Sequence, residues 1–235
     1  MAGKLKLSGL RSLLKGKSID ESLTSLATLY PGRTVFTTSF GIEDQVITHF
    51  ICKNDLSVEI ATLDTGRLFP ETYKVFNETM KKYKVHIKVF FPEHDTIEEM
   101  VSKKGPYSFY YSYENRLECC RLRKVVPLER ALKGKVVWIS GIRSGQSDNR
   151  QLLDWIEYDN KKEIFKFYPL FDWSYEEVKE FVVKYEIPYN ILHDKGFVSI
   201  GCEPCTRAVQ PGEDFRSGRW WWENGSNKEC GLHHK

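Results

Sequence analysis

Three short β-prone runs each end in a polar turn that contains glycine, and this repeated pattern constrains the fold more than any other feature of the sequence. The runs and the turns that follow them are Val35–Thr38 with Ser39–Gly41, Val58–Leu63 with Asp64–Gly66, and Val136–Ser140 with Ser140–Arg143. Val85–Phe91 is a further β-prone run, and helical patterns separate the runs. Strands that alternate with helices predict an α/β fold with a mainly parallel sheet and helices on both faces. Since ligands bind where such strands end, the turns predict a nucleotide-sized site at the carboxyl edge of the sheet.

Proline, glycine and capping residues predict where several helices begin and end. Residues 18–30 form a helical pattern that Pro31-Gly32 ends, and Pro70 opens another helix. Ser174 and Glu177 make a capping box for a helix that runs through Tyr185. Three further segments are expected between the helices that begin at Pro70 and after Ser174. They are a helix near Thr96–Lys103, a tyrosine-rich loop at Gly105–Arg116, and a helix over Cys120–Leu132 that is interrupted or tightened near Pro127.

The pattern becomes irregular after Pro188, and this divides the chain into two segments. Residues 1–188 are expected to form the nucleotide-binding part, including an N-terminal arm, and residues 189–235 a loop-rich tail folded over the site, within a single domain overall. The first 19 residues carry five basic residues and no acidic one. A transit-type presequence has a similar composition, but we interpret the segment as a basic surface arm.

Composition excludes two classes of protein. The net charge of +3 argues against a general nucleic-acid binder, although it allows a local basic pocket. No apolar stretch is long enough to cross a bilayer. The 235 residues include six cysteines, and no secretory signal precedes them, which favours a reducing compartment and thiolates used for metal binding or catalysis.

Four of the cysteines form two close pairs. Cys119-Cys120 is a tandem pair, and Cys202-Glu203-Pro204-Cys205 has the spacing of metal ligands. Adjacent residues of a regular helix do not face the same way, so a centre that both Cys119 and Cys120 bind requires a distorted backbone there. A cubane offers irons at separated corners and suits such splayed sulfurs better than one zinc ion does. A redox disulfide between Cys202 and Cys205 is the alternative.

Cys230 stands apart, near the end of the sequence. It lies in Glu229-Cys230-Gly231-Leu232-His233, after the glycine-containing stretch Gly225-Ser226-Asn227. An exposed thiol without a function is one interpretation. The other is a nucleophile that nearby cations and His233 activate.

Basic residues cluster beside the cysteines. Lys124 follows the tandem pair closely, while Arg216 and Arg219 follow Cys205. Cations around an anionic substrate would lower the repulsion that a thiolate meets, which is about 4 kcal/mol for two unit charges at ~4 Å and an effective dielectric near 20. No Walker A motif and no Gly-x-Gly-x-x-Gly motif is present.

Taken together, these motifs resemble the iron–sulfur adenylyl-sulfate (APS) reductases. The resemblance runs from about residue 30 to the end. It is carried by Ser39-Phe40-Gly41-Ile42-Glu43-Asp44, Leu63-Asp64-Thr65-Gly66-Arg67, Cys119-Cys120-Arg121-Leu122-Arg123-Lys124, Gly201-Cys202-Glu203-Pro204-Cys205-Thr206-Arg207, Gly218-Arg219-Trp220-Trp221-Trp222-Glu223 and Glu229-Cys230-Gly231-Leu232-His233.

The resemblance implies an adenine nucleotide α-hydrolase-like fold and thioredoxin-dependent reduction of APS to sulfite and AMP in cytoplasmic sulfate assimilation. It implies that Cys230 is the nucleophile, that it becomes an S-sulfocysteine, and that His233 lies nearby. The implied ligands of a 4Fe–4S cluster are Cys119, Cys120, Cys202 and Cys205. The implied substrate contacts are Ser39, Gly41, Asp64, Lys124, Gly141, Arg143, Arg216 and Arg219.

The sequence departs from the family in one loop. Residues 141–147, Gly-Ile-Arg-Ser-Gly-Gln-Ser, carry one arginine where the family usually has two, which leaves one phosphate-side contact open. The sequence ends two residues after His233 without a thioredoxin-like domain, so we expect an external dithiol donor such as thioredoxin.

Several alternatives stay open. The nearest is a phosphoadenylyl-sulfate (PAPS) reductase, or an enzyme with dual specificity. The basic and aromatic tail also suggests an RNA-binding or tRNA-modifying protein with zinc or a cluster, and a cluster-bearing sensor without catalysis is a third class. A homo-oligomer is compatible with all of them.

Overall fold

A six-stranded sheet forms the centre of the computed structural model, which describes residues 6–223. Its strands are β1 Thr34–Thr38, β2 Glu59–Leu63, β3 Lys88–Phe90, β4 Val137–Ile139, β5 Ile156–Asp159 and β6 Ile164–Phe167. Their order across the sheet is β3-β2-β1-β4-β6-β5. Within the described residues all neighbouring strands are parallel except β5, which runs antiparallel to β6. The predicted mainly parallel sheet is therefore confirmed.

The sheet reverses its winding direction between β1 and β4. From β1 the chain moves outward through β2 to β3, and it then returns to place β4 on the other side of β1. Val35 pairs with Glu59 of β2, and Thr34 pairs with Val137 of β4. Loops that leave adjacent strands in opposite directions open a crevice at their carboxyl ends, and this is where such sheets bind ligands.

Helices cover both faces of this sheet, as predicted. They are α1 Leu7–Leu14, α2 Ile19–Leu29, α3 Ile42–Lys53, α4 Pro70–Tyr83, α5 His94–Lys104, α6 Tyr113–Cys120, α7 Val126–Leu132, α8 Asp148–Gln151 and α9 Tyr175–Lys184. Strand residues alternate between the faces. Phe36 and Ile139 belong to the main core with α1, α2, α3 and α9, whereas Val35 and Trp138 pack with Leu128 of α7. None of the helices in residues 6–223 is both long and apolar enough to cross a membrane.

Local sequence signals placed several of these elements correctly. α2 begins after Ser18, whose side chain accepts a hydrogen bond from the backbone of Glu21 in a capping box. The box of Ser174 and Glu177 begins α9 in the same way, and Pro70 is the first residue of α4. β3 covers only Lys88–Phe90 of the longer predicted run.

The predicted loop at Gly105–Arg116 is wrong in its second half. A short 3-10 turn covers Ser108–Tyr110, and α6 starts at Tyr113, seven residues before the predicted start at Cys120. The side chain of Ser112 caps this helix by accepting a hydrogen bond from the backbone of Asn115. Ser112 was not identified as the start signal of a helix because it lies among several tyrosines, which suggested a loop.

The predicted interruption of the helix over Cys120–Leu132 near Pro127 is confirmed, but the helix is widened there rather than tightened. Residues Arg121–Val125 form a π-helical turn that joins α6 to α7. Pro127 has no backbone N–H and its ring crowds the preceding turn, so a regular helix would lose a hydrogen bond there. The wider turn lies just before the proline. The distortion expected at the tandem pair is absent at the pair itself, because α6 is regular through Cys120, whose φ of −64° and ψ of −40° are α-helical, and the distortion begins one residue later at Arg121.

The β5–β6 hairpin and α8 were not predicted at all. Both strands are four residues long, and α8 consists of only four residues. Elements this short carry too few residues for a periodic pattern. From Tyr189 to Glu223 the described chain has two 3-10 turns, Ile191–Lys195 and Glu203–Cys205, within irregular loops, which fits the predicted loop-rich segment.

The basic N-terminal arm is a packed helix from Leu7 onward, so its interpretation as a surface arm is wrong for the described residues. Leu10 and Leu14 of α1 are buried in the main core. Arg11 forms an ion pair with Asp154 and donates a hydrogen bond to the backbone oxygen of Ile156 in β5 at 3.1 Å. The leucines at helical spacing reflect burial against the sheet.

We predict that Leu10→Ala lowers the free energy of unfolding by about 2–5 kcal/mol, because truncating a fully buried leucine loses transfer free energy and leaves a cavity. Urea denaturation followed by circular dichroism measures this change. Leu13→Ala is the matched control, since Leu13 lies on the same helix but is 38% exposed. Equal, small effects of both substitutions would contradict the packing of α1.

Candidate active site

The carboxyl ends of β1 and β4 open into a cleft at the reversal point of the sheet. Ser39 and Gly41 line this cleft after β1, and Gly141 lines it after β4. These are three of the residues that the sequence placed in ligand-contacting turns.

Three cations from distant parts of the sequence line the same cleft. Lys124 reaches it from the π-helical turn, and Arg216 and Arg219 reach it from the C-terminal loops. Both arginines are more than nine-tenths buried, so their charges lie where water screens them little. Six of the eight substrate-contact residues expected from the sequence therefore line one cleft.

The turn after β1 carries two acidic residues on the first turn of α3. Ser39 donates hydrogen bonds to the Asp44 carboxylate from its backbone N–H at 2.6 Å and from its hydroxyl at 2.7 Å. Burial raises the pKa of Asp44 to about 6, and the neighbouring Glu43 carboxylate adds to the rise, although the hydrogen bonds from Ser39 and Gly141 oppose it. Both carboxylates line the cleft, so its two walls differ in charge.

Gly141 is required by a close approach between two chain segments. A Cβ atom at this position would lie 2.3 Å from Oδ1 of Asp44 and 3.3 Å from the backbone nitrogen of that residue. Gly41 differs, because an added Cβ there would meet its nearest neighbour, the Ser39 hydroxyl, at an ordinary 3.5 Å. The absence of a side chain at Gly141 lets the β4 turn touch the start of α3 and closes one end of the cleft.

Arg143 lies behind the cleft and does not line it, unlike the sequence-based expectation. Its Nε donates to Oε1 of Glu43 at 2.9 Å, and Gln146 donates to the same oxygen at 2.9 Å. Arg143 is 2% exposed, and it therefore acts by fixing the Glu43 carboxylate. Gln146 itself and Arg150 of α8 reach the cleft instead. Sequence reasoning missed Arg150 because it did not predict α8.

Asp64 also differs from its expected role as a cleft residue. Its carboxylate accepts hydrogen bonds from the backbone of Gly66 at 2.8 Å and from the Tyr73 hydroxyl at 3.0 Å, which stabilise the turn after β2. The next residue, Thr65, lines the cleft. The Thr65 hydroxyl also lies 3.3 Å from Sγ of Cys202, and its backbone oxygen accepts a hydrogen bond from Arg123 at 2.6 Å.

The two cysteine pairs meet in a second space beside the cleft. Cys119 and Cys120 end α6, while Cys202 and Cys205 flank the 3-10 turn of the C-terminal loop. All four side chains are buried, and Cys202 and Cys205 form no disulfide. The other residues that line this space are Arg67, Phe109, Arg116, Arg123 and Lys124.

The four sulfur atoms do not lie as close together as the ligands of a bound zinc ion do. Over the described part of the chain, the only side chains that bring three potential ligand atoms within 4.8 Å of one another are exposed His94, Asp95 and Glu98. No three of the cysteine sulfurs meet that distance. A tetrahedral zinc ion with bonds of about 2.3 Å would hold its sulfur ligands about 3.8 Å apart. Sulfurs bound to different irons of a cluster lie further apart, which fits this arrangement.

Cations modify the acidity of these buried thiols. Burial would raise the pKa of Cys202, but Lys124, the Thr65 hydroxyl and Arg219 together outweigh it and lower that pKa below its usual value. Burial, with Cys202 close by, raises the pKa of Cys205 to about 12. The cysteine space is therefore electropositive next to Cys202, on the side shared with Lys124.

Lys124 is the residue that joins the two sites. It lines the cleft and also the cysteine space, and it lies within the π-helical turn four residues after Cys120. The π-helical turn thus delivers a cation to the boundary between both sites.

Arg116 and Glu223 form a buried ion pair that sequence reasoning missed. The guanidinium donates from Nε and from a terminal nitrogen to the two carboxylate oxygens, each at 2.8 Å. It also lies 4.7 Å from the ring centres of both Tyr113 and Trp220. A fully buried arginine needs such a partner, so the pair secures the last described residue of the chain to the helix that carries Cys119.

Arg219 is held by a second close approach. A Cβ atom at residue 201 would lie 2.1 Å from a terminal nitrogen of Arg219, so glycine at this position lets the guanidinium lie where it does. The guanidinium also lies 4.8 Å from the ring centre of buried Trp220. Cys230, His233 and the stretch Gly225-Ser226-Asn227 lie outside the described residues.

Comparisons with known proteins place the chain in one family. The profile of the phosphoadenosine phosphosulfate reductase domain matches residues 33–208. The chain is 47% identical over 224 residues to the adenosine 5'-phosphosulfate reductase of Agrobacterium fabrum, covering 95% of this chain and 86% of the relative. It is 47% identical over 201 residues to the adenosine 5'-phosphosulfate reductase of Allochromatium vinosum, covering 86% and 78%.

Solved structures agree on the fold. The structure is similar to phosphoadenylyl-sulfate (PAPS) reductase from Candida auris in a phosphate complex, with a TM-score of 0.74, 28% identity, and coverage of 88% of this chain and 98% of that chain. Candida glabrata FMN adenylyltransferase in complex with FAD and pyrophosphate shares the fold alone, at 14% identity and a TM-score of 0.52 over 94% of this chain and 83% of that one.

We predict that Gly141→Ala weakens binding of AMP at least tenfold, because the added methyl group displaces Asp44 and the start of α3. Isothermal titration calorimetry measures the affinity. Gly145→Ala is the matched control from the same loop, since its Cβ would meet Arg143 at an ordinary 3.7 Å. Unchanged AMP affinity in Gly141→Ala would show that this end of the cleft does not hold the nucleotide.

Proposed function

This chain belongs to the phosphoadenosine phosphosulfate reductase domain family, and we propose that it reduces adenylyl sulfate to sulfite and AMP in sulfate assimilation. The relatives named adenosine 5'-phosphosulfate reductase support this reaction. The observation that carries it is Lys124, which joins a polar cleft at the strand ends to a space lined by four cysteines.

The nucleotide occupies the cleft. Ser39, Gly41 and Gly141 contact it from the turns after β1 and β4, while Asp64 and Arg143 act indirectly by fixing the Asp64–Gly66 turn and Glu43. The phosphosulfate lies towards Lys124, Arg216 and Arg219, whose charges offset the repulsion between an anionic substrate and an attacking thiolate. Arg150 is a fourth cation that lines the cleft.

Cys230 is the nucleophile. Its thiolate forms a bond to the sulfur of APS, the bond between that sulfur and the phosphate oxygen breaks, and AMP leaves with the electron pair. His233, three residues after Cys230 in the sequence, assists removal of the thiol proton. The product on the enzyme is an S-sulfocysteine.

A thioredoxin or a similar dithiol protein completes the reaction. One of its thiolates forms a bond to Sγ of Cys230, and sulfite leaves with the electron pair of the broken S–S bond. The second thiolate of the donor then attacks the first donor sulfur and frees the Cys230 thiolate. The donor is oxidised to a disulfide, and the sulfonate sulfur is reduced to sulfite.

The four paired cysteines hold a 4Fe–4S cluster. The four buried cysteines line one space, and their sulfurs do not lie as close together as the ligands of a bound zinc ion, which supports a cluster. When bound, the cluster would link α6 covalently to the C-terminal loop and place a charged centre beside Lys124. The ligands would be Cys119, Cys120, Cys202 and Cys205.

PAPS reduction is the second candidate, and the likeness to the Candida auris structure favours it. The four paired cysteines and the relatives named for APS favour the unphosphorylated substrate. A competition assay separates the two candidates by which substrate has the higher kcat/KM.

We place the enzyme in the cytoplasm, and we propose that it binds neither nucleic acid nor membranes. A homo-oligomer is compatible with this function.

We predict that anaerobically purified protein is brown and contains iron and acid-labile sulfide in equal amounts, because four convergent thiols hold a cluster. Cys202→Ser should lose most of the iron. Cys52→Ser is the matched control, since Cys52 is half-buried against the main core and should keep all of it. A colourless, fully active protein with one zinc per chain would contradict the cluster.

We predict that Cys230→Ser binds AMP with unchanged affinity and keeps its iron, yet releases no sulfite from APS and a dithiol. Wild-type protein incubated with APS alone should gain the mass of one SO₃ group on Cys230, and thioredoxin should remove it. Mass spectrometry locates the group. A sulfonate on another cysteine, or turnover by Cys230→Ser, would refute the assigned nucleophile.

A further inference from the structure

An exposed aromatic surface surrounds the point where the described chain ends. We call it the tyrosine patch and define it by Tyr107, Tyr110, Tyr111, Tyr113 and Trp221. Between 37% and 76% of each of these residues is exposed. Clustered exposed aromatic residues mark sites of protein association, and tyrosine and tryptophan dominate the binding energy of such interfaces.

The residues of the patch are held in place by the cysteine-bearing loops. The Tyr110 hydroxyl donates a hydrogen bond to the backbone oxygen of Pro204 at 2.6 Å, and its ring lies 4.4 Å from that of Trp222. Tyr107 lies 6.2 Å from Tyr110 in a stacked arrangement. Because these rings are already ordered, a partner that covers them loses little conformational entropy on binding.

The patch lies at the base of the segment that carries the proposed nucleophile. Trp222 contacts Tyr110, and Glu223 is secured to α6 by Arg116. Cys230 is seven residues beyond Glu223, so it lies within about 25 Å of that anchor even in a fully extended chain. A protein that reacts with the sulfur of Cys230 therefore works within about 25 Å of Glu223, and Tyr113 of the patch packs on the same Arg116 that binds Glu223.

The patch is also separate from the nucleotide cleft. None of its five residues is among those that line the cleft, and none lines the cysteine space. Its exposure therefore serves neither substrate binding nor the cysteine site.

From this placement we infer that the tyrosine patch is the docking surface for the dithiol protein that releases sulfite from Cys230, an inference that rests on the proposed function. Docking there brings the donor thiolate within reach of the S-sulfocysteine, while the chemistry of sulfur transfer stays in the cleft. The patch sets the affinity for the protein donor and leaves the reactivity of Cys230 unchanged.

The test compares two reductants on the full-length, cluster-containing enzyme. In Tyr107→Ser/Tyr111→Ser, the KM for thioredoxin should rise at least tenfold. The rate of sulfite release with dithiothreitol should stay unchanged, because a small dithiol needs no docking surface. Formation of the S-sulfocysteine from APS alone should also stay unchanged. Tyr111→Ser alone, at the most exposed position, should shift the KM in the same direction.

Val183→Ser is the matched control. Val183 is 74% exposed and lies on α9, which packs against α3 away from the patch. This variant should keep the wild-type KM for thioredoxin. An equal rise of the KM for thioredoxin in Val183→Ser and in Tyr107→Ser/Tyr111→Ser would show that any loss of exposed apolar area has this effect, and it would overturn the proposal.

Three further results would overturn the docking surface. An unchanged KM for thioredoxin in the double variant would show that the donor binds elsewhere. Slower S-sulfocysteine formation would show that the patch receives the segment after Glu223. A change in sedimentation coefficient would show that it receives a second copy of the chain. Failure of the wild type to release sulfite with either reductant would instead refute the proposed function, and the docking surface with it.

Discussion

Cys119 and Cys120 are the last two residues of the regular helix α6, so their side chains leave the helix axis about 100° apart and reach the cysteine space in different directions. The π-helical turn Arg121–Val125, directly after Cys120, is where the helix departs from regular geometry. Much of the site depends on this turn. It carries Lys124 to the boundary between the cleft and the cysteine space, and it carries Arg123 to the backbone of Thr65, which in turn touches Cys202.

The second organising constraint is electrostatic. Four thiols are buried in a space lined by cations, and the cleft beside it holds further buried arginines, so positive charge is concentrated where anionic sulfur and phosphate are expected. Burying so many cations is costly unless each has a partner. Arg116 meets Glu223, Arg143 meets Glu43, and Arg219 lies against the Trp220 ring. The acidic and aromatic residues of the site therefore hold its cations in position as much as they shape its walls.

The sequence predicted the architecture well because its signals were local and strong. The helical pattern of residues 18–30 placed α2, the capping box at Ser174 placed α9, and the glycine turns at the strand ends placed the cleft. The sequence predicted side-chain roles less well where a polar residue stabilises the protein itself. Asp64 and Arg143 are of the residue types that contact ligands, yet their hydrogen bonds are made to other residues of the protein. Arg150 was missed because α8, the helix that carries it, is too short to show a periodic pattern. The Arg116–Glu223 pair was missed because the two residues are 107 positions apart in the sequence. Cys230 and His233 lie outside the described residues, so their roles stay with the proposal.

The π-helical turn also determines what kinds of sequence change this enzyme tolerates. A π turn has more residues per turn than an α-helix, so it behaves as a one-residue insertion compensated within the helix. Losing one residue between Cys120 and Pro127 would close the π-helical turn to an α-helical one, and gaining one would widen it further, so either change would alter the directions in which the residues of the turn point. Such a change would turn Lys124 away from the cleft even if every side chain of the site were retained. The number of residues in this segment is therefore a stricter requirement than the identity of most of them.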